Sequence, residues 1–141
     1  MGLKPARPAG VTWLAVGVFL LAAENALRLG TGLSRYGLLR ELELSVPPAY
    51  LILSAGTWAL AGLALAAGLW RGAARAGRWA MPAAAAYSVQ FWLDRLALAA
   101  STLANLNWPF AAGVNALALA GLWLVLRRPA ARQFFSRDSE N

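Results

Sequence analysis

Residues 81–100 read MPAAAAYSVQFWLDRLALAA. About 20 apolar residues suffice to cross the hydrocarbon core of a bilayer as a helix, and this stretch has that length. It also holds an acid and a base, Asp94 and Arg95, side by side. Whether those charges interrupt a crossing or lie inside one decides the fold. A charge at the centre of a membrane helix costs at least ~2.5 kcal/mol on insertion scales, and such charges almost always face a bundle interior and pair there. Reading 81–100 as a crossing therefore requires polar partners on other helices.

The rest of the chain supplies the setting. Of its 141 residues 60% are hydrophobic and 13% charged, against about 25% charged in a soluble domain. The apolar residues gather into four blocks, about 9–29, 49–70, 79–100 and 108–126, each long enough for one crossing. The sequence thus predicts an all-α fold: a polytopic membrane protein, a bundle of four transmembrane helices forming a single integral membrane domain over 1–141.

Charge orients the bundle. The formal net charge is +7, and its placement decides what it means. Lys4 and Arg7 precede the first block; Arg71, Arg75 and Arg78 lie between the second and third; Arg127, Arg128, Arg132 and Arg137 follow the fourth. Segment 30–48 balances Arg35 and Arg40 against Glu41 and Glu43, and 101–107 carries no charge. By the positive-inside rule both termini and the 71–78 turn are cytoplasmic, N-in and C-in. Arg71, Arg75, Arg78, Arg127, Arg128 and Arg132 are then placed to meet the anionic inner leaflet. The tail with Phe134 and Phe135 reads as a stop-transfer and topology signal. A nucleic-acid partner would need a basic face on a folded domain, for which the chain has no room. The expected partners are the lipid bilayer and either further copies of the chain or a larger membrane complex. The pattern looks like that of small four-span bacterial membrane proteins, which implies a bacterial plasma membrane.

The N-terminal MGLKPARPAGVTWLAVGVFLLAA has the basic start and apolar core of a signal peptide. A cut after Ala23 would put Leu21 where a small residue is wanted, and the block continues through ENALRL. We read it as a retained helix. Pro5 and Pro8 keep the segment before it non-helical, so this helix should start near Gly10 or Val11 and end around Gly30–Gly32, where GTG supplies breakers. Segment 33–44 alternates leucine with charge, as a short amphipathic helix at the outer interface would. Pro47 and Pro48 open the second block, since proline is tolerated in a first turn. ALAGLAL at 59–65 and ALAGLWL at 118–124 suggest two tandem helical hairpins.

No cysteine or histidine occurs, so disulfides, thiolate metal sites and histidine-held haem are excluded. The sequence calls for no cofactor and no metal. A nucleophile elbow, a Walker loop and a dinucleotide fingerprint are all missing, so the sequence names no catalytic residue and points away from an enzyme.

The intramembrane polar residues are the candidate site. With a rise of ~1.5 Å per residue, Glu24 and Asp94 lie at nearly the same height, roughly 21 Å from the inner face. Asn25, Arg28, Arg95 and Asn115 fall near that level. Glu24 and Arg28 share a helix face. Asp94 and Arg95 point about 100° apart and pair poorly with each other. The expectation is a cross-helix square, Glu24 with Arg95 and Arg28 with Asp94. Tyr50, Tyr87, Ser88 and Gln90 would line a polar cavity beside it. Two functions follow from different uses of this network. A structural network makes the protein a non-catalytic accessory, assembly or helix-packing subunit of a membrane complex. A cavity-lining network makes it a transporter or channel for a small solute or ion.

Overall fold

The computed structural model describes residues 7–42, 46–98 and 107–136. Among them every regular element is a helix: α1 (Ala9–Ser34), α2 (Tyr36–Glu41), α3 (Pro48–Arg71), α4 (Ala74–Leu98), α5 (Trp108–Arg127) and α6 (Pro129–Ser136). Among the described residues the fold is all-helical, as the apolar blocks require. Three of these helices, α1, α3 and α5, are long and apolar enough to cross a membrane. The fourth long helix, α4, has the length but carries arginine in its first turns and Tyr87, Ser88, Gln90, Asp94 and Arg95 in its second half.

Several boundaries move from their expected places. α1 starts at Ala9, where the Pro8 carbonyl accepts from the Val11 N–H at 2.9 Å and the Thr12 N–H at 3.1 Å. It then runs through Gly30 and Gly32 to Ser34. Two contacts offset the glycines' poor helix propensity. A side chain added at Gly32 would meet Ile52 at 3.1 Å, so its smallness serves packing. The Ser34 hydroxyl donates to the Gly30 carbonyl at 2.8 Å. α4 begins at Ala74, five residues before the expected start, and absorbs Arg75 and Arg78 into its first turns. The turn between α3 and α4 thus shrinks to Gly72 and Ala73, with Gly72 at φ 82, a conformation that glycine adopts at no steric cost. Pro82 sits inside α4 and leaves the Arg78 carbonyl without its intrahelical donor. The expected amphipathic segment 33–44 is in part the short α2; residues 43–45 lie outside the described residues.

The four long helices alternate in direction. α1 and α3 run antiparallel along a seam of small residues: Gly32 meets Ile52, Gly56 meets Leu29, and Gly62 meets Ala22. This is the most extensive pairing among the described helices. A Cβ at Gly62 would stand 2.8 Å from the Ala22 Cβ, which is the close backbone approach that small residues permit between membrane helices. At one end α5 reaches α1, with Val125 against Gly10.

That end holds the core. Val11, Ala15, Leu69, Ala76, Ala80, Leu122, Ala131 and Phe135 form one buried cluster from α1, α3, α4, α5 and α6. It is also the basic end, where Arg71, Arg75, Arg78, Arg127, Arg128 and Arg132 are exposed. The Arg7 guanidinium lies 3.8 Å from the Trp70 ring centroid, and that of Arg127 lies 4.0 Å from Trp123. The tail read as a topology signal folds into α6 and packs on the α3–α4 turn. Phe134 covers Gly72, and the Phe135 ring lies against Gly77. Five helices thus contribute side chains to the core at this end.

Candidate functional site

The second half of α4 is the polar strip of the molecule, and three neighbouring helices bond to it. From α3, the Tyr50 hydroxyl donates to Asp94 Oδ1 at 2.6 Å. Gln90, one turn before Asp94, donates to the same carboxylate oxygen at 2.8 Å and also to the Tyr50 oxygen. The three side chains close a triangle in which the phenol oxygen both accepts and donates. From α1, the Asn25 amide donates to the Leu21 carbonyl at 2.9 Å and to the Tyr87 hydroxyl at 3.3 Å. From α5, Asn115 meets Ser88, whose Oγ lies 2.8 Å from Asn115 Oδ1 and 2.9 Å from the Ala84 carbonyl. A hydroxyl has one proton, so Ser88 donates to one of these oxygens at a time. The Tyr87 ring also meets Trp58 of α3 edge-on, with centroids 5.0 Å apart.

The expected square of ion pairs does not form. Asp94 takes its bonds from Tyr50 and Gln90 rather than from Arg28. Glu24 and Arg28 are exposed on α1, and neither forms an ion pair or hydrogen bond among the described residues. The reason is rotational. The buried stripe of α1 is Val11, Ala15, Ala22 and Asn25, so the residue after Glu24 takes the inward position, with Asn25 only 2% exposed. The matched heights were useful, but height does not fix which side chain faces inward. The small-residue spacing from Ala15 through Ala22 to Asn25 was the signal that did. Of the four residues expected to line a cavity, Tyr87 and Ser88 do so. Tyr50 and Gln90 are spent on Asp94 instead.

That cavity lies among α1, α3, α4 and α5 and has a volume of about 760 Å³. Its walls are apolar for most of its length, from Leu14 and Val18 on α1 and Leu65 on α3 to Leu119 and Leu122 on α5. Its polar residues, Asn25, Tyr87, Ser88, Arg95, Asn107 and Asn115, lie toward the end away from the basic cluster. Donors predominate among them. Asn25 gives a proton to Tyr87, so the phenol's own proton is available, and it meets no acceptor among the described residues. Arg95 adds a guanidinium with five N–H donors and no acceptor. Asp94, the nearest acid in sequence, does not line the cavity.

Among the described residues no group of three His, Cys, Asp or Glu is placed to hold a metal ion. The chain matches no protein family, no characterised protein and no solved structure. Its function must be argued from this geometry.

Proposed function

We propose that the chain is a four-span bacterial plasma-membrane protein, N-in and C-in. It acts without catalysis as an accessory or assembly subunit of a membrane complex or a homo-oligomer. The observation that carries this reading is the use made of α4. Its Asp94, Tyr87 and Ser88 are each engaged by a side chain from a different helix, α3, α1 and α5 in turn. Polar groups of a helix too polar to insert well alone thereby find partners on three other helices, which are themselves apolar. These cross-helix bonds and the alternating helix directions support a fourth crossing by α4. The same alternation is what two tandem hairpins would give. The exposed arginines at one end support the orientation, with that end cytoplasmic.

The cavity favours a second reading, passage of a small solute or ion. Its apolar walls weigh against that, because a hydrophobic constriction expels water from a pore.

Single cysteines in this cysteine-free chain test the topology. An impermeant thiol reagent added outside intact cells is expected to label positions 103–106 and to spare 73–76. Purified protein in liposomes should pass ions and small polar solutes no faster than empty liposomes do. Labelling at 73–76 alone would overturn the orientation. Flux abolished by Asn115→Leu would overturn the accessory role in favour of transport.

A further inference from the structure

The exposed arginines of the basic end are not equivalent. Arg127 lies over the Trp123 ring. Arg78 of α4 and Arg132 of α6 instead line one recess of about 510 Å³ between α4, α5 and α6, whose other walls include Gly77, Leu126, Phe135 and Ser136. That volume falls in the range of small-molecule sites, about 300–1,000 Å³. Neither the Arg78 nor the Arg132 guanidinium forms an ion pair or hydrogen bond among the described residues. No acid lines the recess; the acids of the described residues are Glu24, Glu41 and Asp94. The recess therefore offers two cations from two helices beside the apolar surface of Leu126 and Phe135. Arginine is well suited to phosphate, whose oxygens it holds through paired N–H donors.

The level of the recess identifies the source of the phosphate. Trp79 directly follows Arg78, and Trp123 precedes Leu126 on α5 by one turn, roughly 4.5 Å. Both indoles are exposed, and tryptophan at a span end favours the headgroup layer. A free phosphate ion would use the two cations and gain nothing from the apolar walls. A zwitterionic head would bring an ammonium to two guanidinium groups with no acid beside them to receive it. We propose that this recess binds the head of one anionic phospholipid, with Arg78 and Arg132 on its phosphodiester oxygens and its glycerol and upper acyl chains against Leu126 and Phe135. Basic pockets between membrane helices on the cytoplasmic side recognise such heads. This is a site of fixed stoichiometry, beyond the diffuse attraction of a basic end for an anionic leaflet. Its assignment to the inner leaflet rests on the topology proposed above; the recess itself does not. Because α6 supplies one arginine and the aromatic wall, the site forms only when α6 has docked.

The test uses the full-length protein, purified in a non-ionic detergent, delipidated and titrated with phosphatidylglycerol or with phosphatidylethanolamine of the same acyl chains. Retained lipid is counted by native mass spectrometry. Binding in detergent does not depend on orientation, so failure here is distinct from failure of the cysteine-labelling test of topology. One phosphatidylglycerol per chain is expected, held about tenfold more tightly than phosphatidylethanolamine. Arg78→Gln and Arg132→Gln should each weaken it about tenfold. Arg71→Gln removes the same charge from the same end but outside the recess, and should weaken it by less than about twofold. Circular dichroism keeps loss of fold separate from loss of binding, and the two recess variants are judged independently. Equal binding of the two lipids would overturn the proposal, as would equal losses in Arg71→Gln and the folded recess variants, which would show diffuse attraction alone. Displacement of the lipid by inorganic phosphate at equal concentration would assign the recess to a soluble anion. Two acids follow α6 in sequence, Asp138 and Glu140. Lipid retained only after Asp138→Asn and Glu140→Gln, and not by the unaltered chain, would assign the recess to the protein's own tail.

Discussion

Replacing Gly62 by alanine tests the seam between α1 and α3 at its tightest point. The new methyl carbon would lie 2.8 Å from the Ala22 Cβ and 3.4 Å from the Ala22 Cα. Carbon atoms sit comfortably at about 3.5–4.0 Å. Neither obstacle is the end of a flexible side chain, so no rotamer change relieves the contact and the helices must part by about 1 Å to restore that spacing. Overpacking of this kind costs about 1–3 kcal/mol. Against it stands alanine's better helix propensity, up to about 1 kcal/mol over glycine. Gly17→Ala provides the control: it makes the same chemical change on α1, where the added carbon meets nothing within 4 Å. The propensity terms cancel in the comparison, so Gly62→Ala should be less stable than Gly17→Ala by about 1–3 kcal/mol. Unfolding of the two variants in one detergent, followed by circular dichroism, reads the difference. Adding Ala22→Gly to Gly62→Ala removes the obstructing methyl, and the two changes should couple favourably because the residues touch. Equal stability of Gly62→Ala and Gly17→Ala, or no coupling with Ala22→Gly, would refute close packing at this seam.

Two further outcomes are expected. Phe135→Ala should cost about 3–5 kcal/mol, as large-to-small changes in cores do, and should expose the segment around α6 to protease well before the long helices unfold; unchanged cleavage would refute its docking on Gly77. Asn25→Leu and Tyr87→Phe, singly and together, should show a coupling of about 0.6 kcal/mol, the average for interhelical hydrogen bonds in a membrane protein, and strict additivity would show that the two side chains do not bond.

Much of the fold was legible because length and hydropathy are local properties. The apolar blocks announced four long helices, and α5, expected over 108–126, lies at Trp108–Arg127. Boundaries set by tertiary contact were less legible. Gly30 and Gly32 resemble breakers until Ile52 is known to pack there. Arg75 and Arg78 resemble a turn until Gly72 is known to make the turn almost alone. The candidate site was legible by height and hidden by rotation. Asn25, Tyr87, Ser88, Asp94 and Asn115 do meet partners across helices. The acid–base square fails because the packing stripe of α1 presents Asn25 and leaves Glu24 outside. The triangle of Tyr50, Gln90 and Asp94 had one local clue, the four-residue spacing of Gln90 and Asp94, which puts both on one face. The arrival of Tyr50 from α3 could not be read from spacing at all. The amphipathic α6 was missed because its arginines explained the tail well enough without a helix.

The aromatic cap on the α3–α4 turn has a consequence for how the protein is made. Chains are synthesised from the N-terminus, and parts generally fold in that order. The turn at Gly72 therefore emerges long before Phe134 and Phe135, the side chains that cover it. Until α6 docks, the helices already inserted lack the cover that ties their basic ends together. A reporter or affinity tag fused directly after α6 would crowd that last step, whereas the same tag ahead of α1 would leave it free. Yield compared between the two placements is thus a readout of assembly, available before any function is assayed.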